Sequence, residues 1–418
     1  MPTDTHGAID AIWRIESPKL IAALTRVVRD VGIAEDLAQD ALVAALEQWP
    51  ESGIPENPGA WLMGTAKHRA IDFFRRSAMA DRKHEDLGRD YNVREQTMPD
   101  LDSSLDDPIG DDLLRLIFIA CHPVLPKEAR LALTLRLLGG LTTDEIARAF
   151  VSNEPTIAQR IVRAKRTLAE KRVPFEIPRA RELNNRLASV LEVIYLIFNE
   201  GYTATAGDDW MRPSLSEEAL RLGRVLAELA PNEPEVHGLV ALMEIQASRS
   251  AARIGPNGEP ILLMDQNRAK WDRLLIQRGL AALERARQLG VEPGPYRFQA
   301  EIAACHARAS EPQQTDWNEI VAWYGQLSEI MPSPIIELNR AVAVSMATGP
   351  EKALEIVDRI LEDPRLDNYH LLPSARANFL KKLGRLAEAR IEFERAAAMT
   401  RNEQERKLLL QKARECTA

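Results

Sequence analysis

Six side chains from Thr156 to Arg166 hold the chemistry that this sequence states most plainly. At 100° per residue, Thr156, Gln159, Arg163 and Arg166 share one side of a helix, with Arg160 and Lys165 beside them. Hydroxyl, amide and guanidinium groups at that spacing donate hydrogen bonds to base edges and phosphates. The chemistry is therefore recognition, by a helix laid in a major groove. Bond-making chemistry has no comparable support. The seven histidines show no zinc-ligand spacing, and no glycine-rich phosphate loop or nucleophile elbow occurs. Cys121, Cys305 and Cys416 form no CxxC pair, which argues for a reducing compartment and against zinc or a disulfide framework. Cys121-His122 and Cys305-His306 read as core residues. No catalytic residue, metal or cofactor is expected, and the chain is not read as an enzyme.

The elements that must position those side chains follow from their neighbours. Thr142 to Glu145 (TTDE) has capping-box spacing: a hydroxyl for one orphan amide, a carboxylate reaching back for another. Ile146, Ala147 and Phe150 give the short helix behind it an apolar face. Val151 to Glu154 breaks the pattern, and Pro155 suits a first helical turn. Ile157, Ile161, Ala164 and Leu168 then recur at i, i+4, i+7 and i+11, one buried stripe. The pattern is a helix-turn-helix, preceded by two strongly apolar helices over Leu113 to Ala120 and Lys127 to Leu138.

A second segment with a basic surface lies upstream. Ser17-Pro18 opens a helix to about Arg29, and a second helix follows from Ile33 to Trp49. Opposite the apolar face of that second helix, Asp36, Gln39, Asp40, Val43 and Glu47 form an acidic stripe. Such a stripe is either simply solvated or docks on a basic partner helix. Pro50 to Pro58 is a loop stiffened by three prolines. The third helix, about Gly59 to Ser77, turns Leu62, Ala66, Ala70 and Phe73 inward and Lys67, His68, Ile71, Asp72 and Arg75 outward. Six basic residues against two aspartates give Trp61 to His84 a net charge of +4, which suits contact with backbone phosphates. The loop before it could hold an unstacked base. Between the two basic segments, Glu85 to Asp112 carries ten acids against Arg89 and Arg94. With Pro99, Pro108 and little apolar periodicity, it reads as an extended acidic linker.

The composition agrees with local rather than global basicity. The net charge of the 418 residues is −8, with 28% charged and 45% hydrophobic residues. That excludes indiscriminate binding to nucleic acid, and the length exceeds a single core. Few aromatics (5%) and abundant Ala, Leu, Arg and Glu favour helices. The first residues lack a signal-peptide pattern and no apolar run reaches membrane length, so a cytoplasmic protein with no membrane partner is expected.

At this point the sequence resembles a bacterial RNA polymerase sigma factor of the sigma-70 family, extracytoplasmic-function type. The likeness rests on AEDLAQDALVAALEQW (34–49), NPGAWLMGTAKHRAIDFFRR (57–76) and LTTDEIARAFVSNEPTIAQRIVRAKRTL (141–168). These resemble sigma domains two and four in the right order, and with the linker they cover about the first 175 residues. The resemblance implies core RNA polymerase and promoter DNA as partners. It matches Asp36, Gln39 and Asp40 with the surface for the clamp coiled coil of the polymerase largest subunit, and domain four with a site near the polymerase flap. It matches loop 50–58 with a pocket for a flipped base of the −10 element. Trp61, Lys67, His68, Asp72, Arg75 and Arg76 match the helix that contacts that element. Thr156, Gln159, Arg160, Arg163 and Arg166 match the recognition helix for the −35 element. Two departures stand out. The family often has Asn where His68 stands, and the turn Val151-Ser152-Asn153-Glu154 lacks the usual glycine.

About 240 further residues follow Pro174 and Pro178, and they read as helical. SEEALRLGRVLAELAP (216–231), GPEKALEIVDRILED (349–363) and GRLAEARIEFERAAAM (384–399) are related segments. Aligning Glu218 with Glu388 gives an offset of 170 residues, five times the 34-residue tetratricopeptide period, whereas Lys352 misses the period by two. Two stretches, NEGYTATAGDDWMRP (199–213) and RIGPNGEPILLMDQNRAKW (253–271), mix Gly, Asp, Asn and Trp. They read either as loops whose tryptophans pack on the helices or as a polar pocket or peptide-binding surface. The region resembles the tetratricopeptide-like extension of one subgroup of these sigma factors, which implies a regulatory role and a possible protein or peptide partner.

The expected architecture is all-α. Residues 1–84 form sigma domain two, 85–112 a flexible acidic linker, 113–175 sigma domain four and 176–418 a helical-repeat regulatory domain. The expected function is promoter-specific initiation with core polymerase. The alternative is a stand-alone helix-turn-helix regulator with a repeat-type sensor.

Overall fold

Apolar periodicity builds every long element, and packing sets where each one ends. In the computed structural model the described residues are 2–85, 109–150, 152–178, 180–204, 206–207, 210–256 and 258–416. Helix α1 runs Pro2–Val28 rather than starting at Ser17, with Pro18 in its interior. An interior proline removes one backbone bond and costs about 3 kcal/mol. Burial of Ile9, Leu20, Ile21 and Leu24 along the same face outweighs it, because each fully buried side chain of that size contributes roughly 1.5–3 kcal/mol.

Helix α2 (Val31–Ser52) starts on Asp30, whose carboxylate accepts from the amides of Gly32 at 2.7 Å and Ile33 at 3.0 Å. It runs through Pro50 and stops at Gly53, whose φ of 84° is open to glycine and costly for other residues. The expected loop 50–58 is therefore shorter: only residues 53–57 lie between α2 and α3 (Pro58–Glu85). Asn57 caps α3 through an Ala60 N–H bond of 3.1 Å. Residues 86–108, nearly all of the expected acidic linker, lie outside the described residues. Its two ends are helical instead: Glu85 closes α3, and α4 (Ile109–Ala120) begins four residues before Leu113. Asp112, expected in the linker, is buried and bonded to Arg26 at 3.1 Å and Arg115 at 2.6 Å.

Helix α5 (Lys127–Leu137) leads into α6 (Thr143–Ala149) and α7 (Glu154–Glu170). The capping box is present: the Glu145 amide donates to Thr142 Oγ1 at 3.1 Å, and the Thr142 amide donates to Glu145 Oε2 at 2.8 Å. In the turn, Asn153 caps α7, its side chain accepting from the Thr156 amide at 2.9 Å. Helices α1, α2 and α3 pack on one another, α5 and α6 pack on α7, and α1 also meets α4 and α5. Residues 1–193 thus form one compact unit. Its last part is the start of α8 (Ala180–Tyr202), where the Ser189 hydroxyl donates to the Cys121 carbonyl at 2.6 Å and Arg130 pairs with Glu192 at 3.1 Å. The unit therefore continues past residue 175, where the sequence reading ended it.

Residues 194–418 form the second unit. After the end of α8 come α9 (Pro213–Leu229), α10 (Pro234–Ala247), α11 (Arg273–Gln288), α12 (Pro295–Arg308), α13 (Trp317–Ile330), α14 (Pro334–Ala347), α15 (Pro350–Ile360), α16 (Leu371–Lys382), α17 (Leu386–Met399) and α18 (Glu403–Arg414). From α9 onward each helix packs against the next, with α11 and α12 both against α10. A two-residue parallel pairing of Ala206–Gly207 with Arg401–Asn402 joins the ends of this unit, and the Asn402 side chain donates to the Ala204 carbonyl at 3.2 Å. No described helix is long and apolar enough to cross a membrane.

A close helix crossing in this unit gives a test. A Cβ on Gly238, in α10, would lie 2.8 Å from the Arg297 amide nitrogen and 3.0 Å from its Cα, at the start of α12. Gly238→Ala should destabilise the C-terminal unit by about 1–3 kcal/mol in urea unfolding, despite the better helix propensity of alanine. A neutral or stabilising effect would contradict this crossing.

Candidate nucleic-acid interface

The basic face of α7 is open to solvent. Thr156, Gln159, Arg163 and Arg166 are exposed and Arg160 is half-buried, while Ile157, Ile161, Ala164 and Leu168 are buried beneath them. Arg166 is held along the helix by Glu170 at 2.6 Å, which raises its already high pKa by that hydrogen bond and charge. Val162 interrupts the polar surface and is 62% exposed. Sequence reasoning did not single it out, because one apolar residue on a polar face carries no periodic signal.

On α3, His68, Asp72, Arg75 and Arg76 are exposed and Lys67 is half-buried. Arg75 lies 3.9 Å from Asp72, and Arg76 Nε donates to the Asp72 carbonyl at 3.3 Å. Trp61 is half-buried and rests edge-on against the buried Trp49, with ring centroids 5.2 Å apart. It therefore anchors the start of α3 on α2. In the loop before it, Gly53, Ile54, Glu56 and Asn57 are exposed.

The acidic stripe on α2 is partly as expected. Asp36, Asp40, Val43 and Glu47 are exposed, but Gln39 is half-buried and donates to Glu35 at 2.6 Å. Glu35 is the residue that sequence reasoning passed over. It is only 3% exposed, on the apolar side of α2, with Ala38 and Leu42 three and seven residues on. Its carboxylate bonds to Arg136 Nε of α5 at 2.6 Å and to Lys165 Nζ of α7. Burial by itself raises the Glu35 pKa, but the charges and hydrogen bonds of Lys165 and Arg136 hold it below its ordinary value. Asp36 next to it is raised, by partial burial and by Glu35, Asp40 and Asp30, against the pull of Lys165. A second polar contact joins α1 to α6, where Arg14 donates to Glu145 at 2.6 Å, though both groups are partly solvated.

A helix-turn-helix and a basic-faced three-helix module within one unit have the features of a nucleic-acid-binding protein. The family model for Sigma-70 region 2 matches residues 12–79, the model for Sigma-70, region 4, matches 115–168, and a family of unknown function, DUF6596, matches 186–287. The chain is 44% identical to an uncharacterized protein of Rhizobium meliloti (strain 1021) over 96% of its own length and 94% of that protein. It is 25% identical to the probable ECF RNA polymerase sigma factor SigI of Mycobacterium tuberculosis, over 42% of this chain and 59% of that one. It is 26% identical to the RNA polymerase sigma-H factor of Pseudomonas aeruginosa, over 38% of this chain and 82% of that one. The chain belongs to the sigma-70 family of RNA polymerase sigma factors, of the extracytoplasmic-function type, and directs promoter recognition.

The Glu35 bridge gives a prediction with a pH signature. Glu35→Gln should loosen the contact of α2 with α5 and α7, raising amide hydrogen exchange there by an amount equivalent to about 3 kcal/mol at neutral pH. Because the folded pKa is depressed, the ionised bridge contributes fully above the unfolded value near 4.5 and is lost as pH falls through the lower folded value. Wild type and variant should therefore converge in acid. Equal exchange at neutral pH would show that the bridge does not hold the modules together.

Proposed function

We propose that the promoter contacts are divided between α7 and α3 and that the polymerase contact lies on α2. Thr156, Gln159, Arg160, Arg163 and Arg166 enter the major groove of the −35 element. Val162 adds an apolar contact of the kind a thymine methyl accepts. Lys67, His68, Asp72, Arg75 and Arg76 follow the melted −10 strand, with Trp61 fixing the start of their helix and residues 53–57 beside the strand. Asp36, Gln39 and Asp40 face the clamp coiled coil of the polymerase, with Val43 and Glu47 continuing the surface. The observation that carries this reading is the sorting of charge within one unit: a basic, solvent-facing α7 and an acidic, solvent-facing α2. The protein makes no bond itself; the polymerase performs the chemistry. The C-terminal helical region, in this reading, governs when the first unit acts.

Arg163→Ala should lower affinity of the polymerase holoenzyme for a −35-dependent promoter and leave core binding unchanged. A direct base contact is worth about 1–3 kcal/mol with altered preference at one base, whereas a phosphate contact weakens all promoters alike and reduces the salt slope. Unchanged promoter affinity would refute the assigned face. For the C-terminal region, transcription by the full chain is compared with that by residues 1–193, the compact unit, in a purified system. A several-fold difference in activity is expected. Identical activity would remove the regulatory role.

A further inference from the structure

The two irregular stretches of the C-terminal unit come together around three buried arginines, Arg249, Arg253 and Arg268. No carboxylate pairs with any of them among the described residues. Two of them donate to other oxygens, although Arg268 Nε has no partner. Arg268 donates to the carbonyls of His306 at 2.8 Å and Ala309 at 2.6 Å and to Thr315 Oγ1 at 3.0 Å. Arg253 donates to the Tyr202 carbonyl and to Thr203 Oγ1 at 2.8 Å, with its guanidinium 3.5 Å over the Tyr202 ring.

Arg249, two residues past the end of α10, is different. It is 8% exposed, its guanidinium makes no hydrogen bond to a described residue, and it lies 5.7 Å from the Tyr202 ring and 5.8 Å from the Trp271 ring. It lines a cavity of about 300 Å³, the small end of the range for ligand sites. Gln246 Oε1 and His306 Nδ1, on the same cavity, are also buried without a partner. Burial, Arg249 and Arg268 push His306 down to about 3, so its ring is neutral and adds hydrogen-bonding capacity without a further charge. A desolvated guanidinium with no counter-charge among the described residues is costly, and an oxyanion held by its parallel N–H groups offsets that cost. Tyr202, Phe198 and Tyr324 supply flat walls around the remaining space.

We propose that this cavity binds a small organic anion, its oxyanion received by Arg249 and its flat body packed against the aromatic walls, with Gln246 and His306 hydrogen-bonding its edge. The ligand class is an aromatic or similarly flat carboxylate or phosphate ester. Peptides and nucleic acid exceed the space. The site gives the C-terminal unit a chemical input, and its binding is measurable apart from any effect on transcription.

The test uses the full chain and three probes of similar shape, benzoate, phenyl phosphate and neutral benzamide, in thermal unfolding at constant ionic strength. A saturable rise in melting temperature is expected from at least one anion and none from benzamide, and the tighter anion identifies the oxyanion type. Arg249→Gln should weaken that response at least tenfold. Gln in place of the exposed Arg278 (Arg278→Gln) should leave it unchanged. If Arg249→Gln fails to fold by circular dichroism, Arg249→Lys decides, with several-fold weaker binding expected because a lysine loses the bidentate geometry. The proposal is overturned by an equal response to benzamide, by wild-type affinity in the Arg249 variant, or by no saturable response to either anion.

Discussion

A single carboxylate constrains the first half of this protein. Glu35 sits on the apolar side of α2, where an unpaired charge is expensive, and two cations from distant segments answer it: Arg136 from α5 and Lys165 from α7. Satisfying the charge draws α5 and α7 onto α2, beside the packing of α4 on α1, within the unit of residues 1–193. Lys165 is thereby turned inward from the flank of the recognition helix. Arg163 and Arg166 are left facing outward, where nucleic acid can meet them.

The same sorting explains how an acidic chain can recognise promoters. With a net charge of −8 the molecule as a whole repels DNA, so binding has to be local, and the solvent-facing basic surfaces on α3 and α7 are the ones proposed for it. The acidic surface on α2 lies in the same unit and suits a basic protein partner. The C-terminal unit places charge differently again. Its three buried arginines meet carbonyls, hydroxyls and rings in place of carboxylates, and one of them faces an open cavity.

Much of this was legible because it is local. The stripe Ile157, Ile161, Ala164 and Leu168, the Thr142–Glu145 capping box and the acidic and basic helix faces depend on spacings of three, four and seven residues. Helix ends were less legible. Pro18 and Pro50 read as boundaries, yet buried side chains carry α1 and α2 through both. Glu35 was hidden because its partner Arg136 lies 101 residues away, and a lone carboxylate among apolar neighbours does not name its cation. The stretches 199–213 and 253–271 were marked by composition as a pocket or packed loops. Trp271 is buried as packing, while Tyr202 and Leu263 border the cavity. Arg249 escaped notice because it lies in the short turn after an ordinary helix, outside both stretches.

Footprinting on one cognate promoter, with and without core polymerase, probes the central claim most directly. The account predicts that the full chain with core enzyme protects the −35 major groove and makes −10 bases reactive as single strands, and that the chain alone does neither at the same concentration. Equal −35 protection by the isolated chain, with no −10 opening when core enzyme is added, would contradict it and mark the protein as a regulator that acts on duplex DNA by itself.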